Sequence, residues 1–111
     1  MIRMDDIVAT TDGLHADDLD RWIAAALVTP LHEAGEAVFT PRDCARVDLL
    51  CTLHYTLEIE DETLPVVVSL LDQLYRTRRQ LHTLAAAVLA QDATVQQDIV
   101  AALAAQMEVM P

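Results

Sequence analysis

The chain has little with which to grip phosphate. Its 111 residues hold seven Lys and Arg against 18 Asp and Glu, a formal net charge of −11. Nucleic-acid binders supply Lys and Arg to neutralise phosphates, so this balance argues against DNA, RNA and anionic membranes as partners. The same balance favours encounter with basic protein surfaces, because complementary potentials raise association rates. Glycine (two) and proline (four) are scarce, and aromatics make up only 4% of the chain. With few helix breakers and a hydrophobic fraction of 53% drawn mainly from Ala, Leu and Val, long helices are the expected architecture. No run approaches the roughly 18 uncharged apolar residues of a membrane span. The opening Met1-Ile2-Arg3-Met4-Asp5-Asp6 lacks the apolar stretch of a secretory signal, and a cytoplasmic protein is expected.

Constellations that do chemistry are missing as well. His15, His32, His54 and His82 fall on separate expected elements, and no glycine-rich loop is present to cradle phosphate. A non-enzyme without cofactor is expected. Cys44 and Cys51 lie on one expected helix, about 10 Å apart at 1.5 Å per residue, beyond disulfide reach. Cys51 and His54 have i, i+3 spacing, but two donors on an apolar face are too few for a metal, and none is expected. Cys51 reads as a small core residue.

What is present is a series of short elements followed by one long one. Met4 to Ala9 can form a first helix, ended at Thr10-Thr11-Asp12-Gly13, where Gly13 supplies a positive φ. A second helix is expected from Ala16 to about Ala26, with Leu19, Trp22, Ile23 and Leu27 as its buried stripe. Asp17 and Asp18 in its first turn offset the helix dipole, and Asp17 can pair with Arg21 at i, i+4. Leu27 to His32 and Ala37 to Phe39 flank Glu33-Ala34-Gly35-Glu36, a hairpin with Gly35 at the turn and Phe39 pointing inward. Thr40-Pro41 starts a third helix reaching about Thr56, with Val47, Leu50, Cys51, His54 and Leu57 toward the core.

Beyond the acidic connection Glu58-Ile59-Glu60-Asp61-Glu62, no Gly or Pro other than the early Pro65 interrupts the chain before Pro111. Val67, Leu70, Leu74, Leu81, Leu84 and Val88 recur at three- and four-residue steps, with Thr77 at one position of the seam. This heptad pattern suits a two-stranded association, and a homodimer is expected. Asp92-Ala93-Thr94 is a possible break, after which Val95, Ile99, Leu103 and Met107 form a second stripe; a hairpin and a continued helix both fit. Two regions follow: residues 1–60, a helical domain with a small hairpin, and residues 61–111, a long dimerisation helix with a helical extension.

The order of these pieces resembles a known plan. Gly13-Leu14-His15-Ala16-Asp17-Asp18-Leu19-Asp20-Arg21-Trp22-Ile23, then Leu27-Val28-Thr29-Pro30 and Phe39-Thr40-Pro41-Arg42-Asp43, is similar to the MerR-type winged helix-turn-helix. Leu64-Pro65-Val66-Val67-Val68-Ser69-Leu70-Leu71-Asp72-Gln73-Leu74 narrows the likeness to the chaperone-modulator family CbpM. The resemblance covers roughly residues 7–90. It implies a mostly α, MerR-like winged fold with a long C-terminal dimerisation helix. It also implies a homodimer that docks on the J-domain of a DnaJ-type co-chaperone related to curved-DNA-binding protein A and inhibits it. J-domains carry a basic helix beside their His-Pro-Asp loop, which suits an acidic modulator. Charge and expected exposure select Asp17, Asp18, Asp20, Glu58, Glu60 and Asp61 as contact candidates. The alternative is a MerR-family transcriptional regulator binding DNA as a dimer. Against it, residues 1–60 hold four Arg, no Lys and twelve Asp or Glu. Metal-sensing members use cysteines near the start of the dimer helix, and Leu64 to Val88 has none.

Overall fold

The computed structural model describes residues 1–109, with the side chains of residues 1–108. The last two residues of the expected second region lie outside the described residues. The chain is mostly helical, with one small antiparallel sheet: β1 (Ile2–Arg3), α1 (Met4–Thr10), α2 (Ala16–Ala24), β2 (Leu31–Glu33), β3 (Glu36–Phe39), α3 (Pro41–Cys51), a π-helical turn (Thr52–Thr56), α4 (Leu64–Leu89) and α5 (Ala93–Val109). Two compact units divide it, one of residues Met1–Leu70 and a second beginning at Leu71. No helix among the described residues is long and apolar enough to cross a membrane.

Local chemistry accounts for the boundaries in the first unit. Gly13 has φ +78°, a left-handed conformation that a side chain would strain, and it turns the chain from α1 toward α2. Ala26 adopts φ 58° at the end of α2. There the N–H of Leu27 donates back to the carbonyl of Trp22 at 2.9 Å, the wrap-around bond that closes many helices. In the hairpin, Ala34 (φ 50°) and Gly35 (φ 81°) are both left-handed, the pair of conformations that a two-residue turn needs to match strand twist. The register sets Glu33 opposite Glu36. Arg3 of β1 lies 3.5 Å from the Glu36 carboxylate and relieves that like-charge pairing.

The hairpin is only part of the sheet. The strand order is β1-β3-β2, with Ile2 opposite Phe39 and Arg3 opposite Val38. A two-residue strand gives no periodic signal, which is why β1 is invisible in the sequence. The core collects Ile7, Leu14, Leu19, Trp22, Leu27, Val28, Val38, Phe39, Val47, Leu50, Leu53, Leu64 and Val68. Trp22 and Phe39 fill it as the inward anchors that the sequence predicts. Two expectations for the third helix fail. Leu57 is exposed, and Cys51 is only half-buried, while Leu53 takes a core place. The cause is the π-turn, in which Leu57 N–H donates to Thr52 carbonyl five residues back at 2.9 Å. That wider turn shifts the helical phase and carries Leu57 outward.

Helix α4 buries Leu64 and Val68 in the first unit, a face offset from the predicted seam. Of the seam residues, Val67 and Val88 are half-buried, whereas Leu70, Leu74, Leu81 and Leu84 are exposed at 45–63%. The break at residues 90–92 is real. Asp92 opens α5, its carboxylate accepting from Val95 N–H at 2.9 Å. Gln96 reaches back to the Leu89 and Gln91 carbonyls at 3.2 and 2.7 Å.

The sharpest local signal is the start of α3. Thr40 Oγ1 accepts from Asp43 N–H at 3.1 Å, and the Asp43 carboxylate accepts from Thr40 N–H at 2.9 Å. Thr40→Ala removes half of this reciprocal pair and is expected to cost about 1 kcal/mol of stability, read from the midpoint of urea unfolding.

Candidate functional site

The polar residues of the first unit converge on α2. Its inward face carries Asp18, Leu19 and Trp22, all buried; its outward face carries Asp17, Asp20 and Arg21. Asp18 was selected as an exposed contact, but at 8% exposure it is part of the interior. A buried carboxylate needs partners, and two groups supply them. The Arg21 guanidinium pairs with one Asp18 oxygen, and the Tyr55 hydroxyl donates to the other. Tyr55 accepts in turn from the backbone N–H of His15 at 3.1 Å. The expected Asp17–Arg21 pair does not form, because Arg21 turns to Asp18 three residues earlier and to Asp61.

Asp61 is the second pole of this network. One of its oxygens accepts from Arg21 Nε at 3.2 Å, and the other accepts from the Trp22 indole N–H, also at 3.2 Å. The acidic connection is thereby fastened to α2. His54 Nδ1 lies 2.8 Å from the Ile59 carbonyl, which can only accept, so this nitrogen carries the hydrogen. The His54 ring also stands edge-on to Trp22, with centroids 5.9 Å apart. No buried side-chain polar atom lacks a partner among the described residues.

Asp18, His54 and Asp61 offer ligand-type atoms within 4.8 Å of one another. The donor set does not favour a cation there. Arg21 already supplies the positive charge to both carboxylates, and His54 Nδ1 directs a hydrogen, not a lone pair, at its neighbour. Chemically the cluster is an ion-pair latch between a helix, a π-turn and a loop.

The other selected acids fare differently. Asp17, Asp20, Glu58 and Glu60 are exposed, and Asp61 is half-buried. The Arg21–Asp61 pair brings the loop that carries Glu58 and Glu60 against the helix that carries Asp17 and Asp20. Glu58 has φ 56°, ending the π-turn in a left-handed conformation. Arg21 and Tyr55 were not selected from the sequence. The acids around Arg21 hinted at its role, but nothing in the local spacing joins residue 55 to residue 18.

Both thiols are free. Burial pushes Cys44 above the ordinary thiol range, with Asp43 and Asp48 adding to the shift and the Met1 ammonium opposing it. Burial, then Asp48, raises Cys51 in the same direction. No protein-family model, curated protein or solved structure matches the chain.

Two outcomes follow from this geometry. Asp61→Asn leaves one acceptor for two donors and is expected to cost about 1–2 kcal/mol in urea unfolding, followed by the fluorescence of the single tryptophan, Trp22. Asp20→Asn, on the open face, should stay within about 0.5 kcal/mol. For the thiols, protons are held more tightly in the folded chain than in the unfolded one. Their contribution to stability is therefore intact below the unfolded value of about 8.5 and is lost as pH rises past it. Cys44→Ser with Cys51→Ser should flatten the decline in unfolding free energy measured above that pH.

Proposed function

We propose that this chain is a cytoplasmic, homodimeric, non-catalytic modulator that binds the J-domain of a DnaJ-type co-chaperone and inhibits it, as the resemblance to the CbpM family implies. The order α1, α2, β2–β3 hairpin, α3 agrees with the MerR-like winged plan in that resemblance. In this reading α2 would be the helix presented to DNA in a regulator, and β2–β3 the wing. The observation that carries the proposal is the state of Arg21. It is the only cation of α2, and two carboxylates of the same chain already hold it. A phosphate would have to displace both, while Asp17 and Asp20 beside it repel phosphate. The transcriptional alternative loses its best cation. A basic helix meets a favourable surface instead, formed by Asp17, Asp20, Glu58 and Glu60. Inhibition would be occlusion, with no bond made or broken.

The exposed leucines of α4 supply the dimer. Burying a leucine fully gains about 1.5–3 kcal/mol, and these side chains are already roughly half-covered, so each would gain about 1 kcal/mol. Leu70, Leu74, Leu81 and Leu84 from both copies then contribute about 8 kcal/mol, within the range of about 4–15 kcal/mol that association costs. The dimer should therefore be reversible and dependent on concentration.

Sedimentation equilibrium checks this half of the proposal: Leu74→Asp with Leu81→Asp is expected to give a monomer of retained helicity. The other half is checked by affinity capture from lysate. A DnaJ-like protein should be retained at low salt and released at high salt, and Asp17→Arg with Asp20→Arg should weaken retention about tenfold, some 1.4 kcal/mol. Sequence-specific retardation of DNA near physiological salt, with no DnaJ-like protein captured, would overturn the reading.

A further inference from the structure

Helix α5 is too apolar for a helix that faces water. Of its 17 residues only Asp98 and Glu108 are charged, and Val95, Val100, Leu103 and Met107 are 38–71% exposed. Val95, Ile99, Leu103 and Met107 recur every four residues with Val100 beside them, so the large side chains share one face about 18 Å long. A helix in a protein draws most of its stability from packing such a face. Helix α4 carries a matching face apart from its seam. Tyr75, His82 and Leu89 recur every seven residues, about 100° around the helix from Leu74, Leu81 and Val88, and span about 21 Å. All three are exposed, Tyr75 at 43% and Leu89 at 71%. Within one copy α5 does not cover this face. The corner between the helices is braced instead, Gln96 Nε2 donating to the Leu89 and Gln91 carbonyls across the break.

Charge and area select what does cover it. Among the described helices, α4 alone has more cations than acids, Arg76, Arg78 and Arg79 against Asp72, and the three arginines are exposed. Arg78 and Arg79, three and four residues after Tyr75, border its second face. Helix α5 has two acids and no cation, whereas residues 1–63 hold 14 acids and four arginines. The complement of α5 within this sequence is therefore α4. A seam from Leu70 to Val88 is about 27 Å long and about 10 Å wide, so two copies joined by it alone hide about 540 Å². Stable interfaces hide about 1,200–2,000 Å². Laying each α5 on the α4 of the other copy brings the hidden area to about 1,300 Å². We propose that α5 of one copy packs on the Tyr75–His82–Leu89 face of a second copy's α4, and the reverse, making the dimer a four-helix assembly. This rests on the homodimer proposed above and is independent of the J-domain partner.

The test is sedimentation equilibrium of the full chain at low ionic strength, with circular dichroism of each variant to show retained helicity. Leu103→Gln with Met107→Gln is expected to raise the dimer dissociation constant at least about tenfold. Arg78→Glu with Arg79→Glu, and separately Asp98→Lys with Glu108→Lys, should each weaken the dimer about fivefold by setting like charges against each other. Mixing these two charge variants in equal amounts should restore the parent affinity in a heterodimer, because each α5 then meets an α4 of opposite sign. Contact between α4 and α5 of the same copy gives no such rescue, so absence of rescue overturns the proposal. Parent affinity in the Leu103→Gln, Met107→Gln variant also overturns it, and if Leu74→Asp with Leu81→Asp still gives a monomer, the α4 dimer stands without α5. A parent chain that is monomeric at every concentration removes the dimer and this assembly together. Loss of DnaJ-like capture in the Leu103→Gln, Met107→Gln variant with an unchanged dimer would assign α5 to that partner and overturn the proposal.

Discussion

One guanidinium between two carboxylates holds the first unit in register. Asp18 is nearly excluded from water, and an unpaired buried charge of that kind costs several kcal/mol. Arg21 removes most of that cost from one side and then extends to Asp61 on the loop after the π-turn. Trp22, the next residue, donates its indole N–H to the same carboxylate. Two successive residues of α2, one charged and one aromatic, thus fix where the loop enters α4. Leu64 and Val68 can reach the core because that entry point is fixed.

The latch also decides how the charge of the molecule is expressed. A count of acids treats all of them as a surface, yet Asp18 and Asp61 share the one positive charge of Arg21. Asp17, Asp20, Glu58 and Glu60 remain to set the outward potential, and they come from two segments some 40 residues apart that the Arg21–Asp61 pair joins. Arg21 cancels one of the two carboxylate charges it holds, so the latch itself keeps one negative charge beside the exposed acids. The sign of the surface follows from an interior contact.

Much of this was legible in the residues. The boundaries of α1, α2 and α3 follow from Gly13, the acids in the first turn of α2 and the Thr40-Pro41 cap, all of which act within a few residues of where they stand. The hairpin was marked by Gly35 in the same way. What the pattern concealed depends on long-range partners. Strand β1 exists only because β3 offers it an edge. The burial of Asp18 depends on Tyr55, 37 residues later, and a helical wheel of α2 alone leaves it undecided between faces. The exposure of Leu57 depends on one widened turn, which no spacing rule anticipates. Among the site residues, charge identified the neighbourhood, while tertiary pairing selected which acids face water.

The widened turn at Thr52–Thr56 is geometrically one extra residue threaded into a helix. Each helical residue turns the chain by about 100°, so a sequence shortened by one position there could keep Val47 and Leu50 seated and rotate everything after them. His54 and Tyr55 would swing away together, and Asp18 would lose its phenolic partner while keeping its guanidinium. In lineage terms, a single-codon deletion in this turn would loosen the latch while leaving every residue of α2 in place.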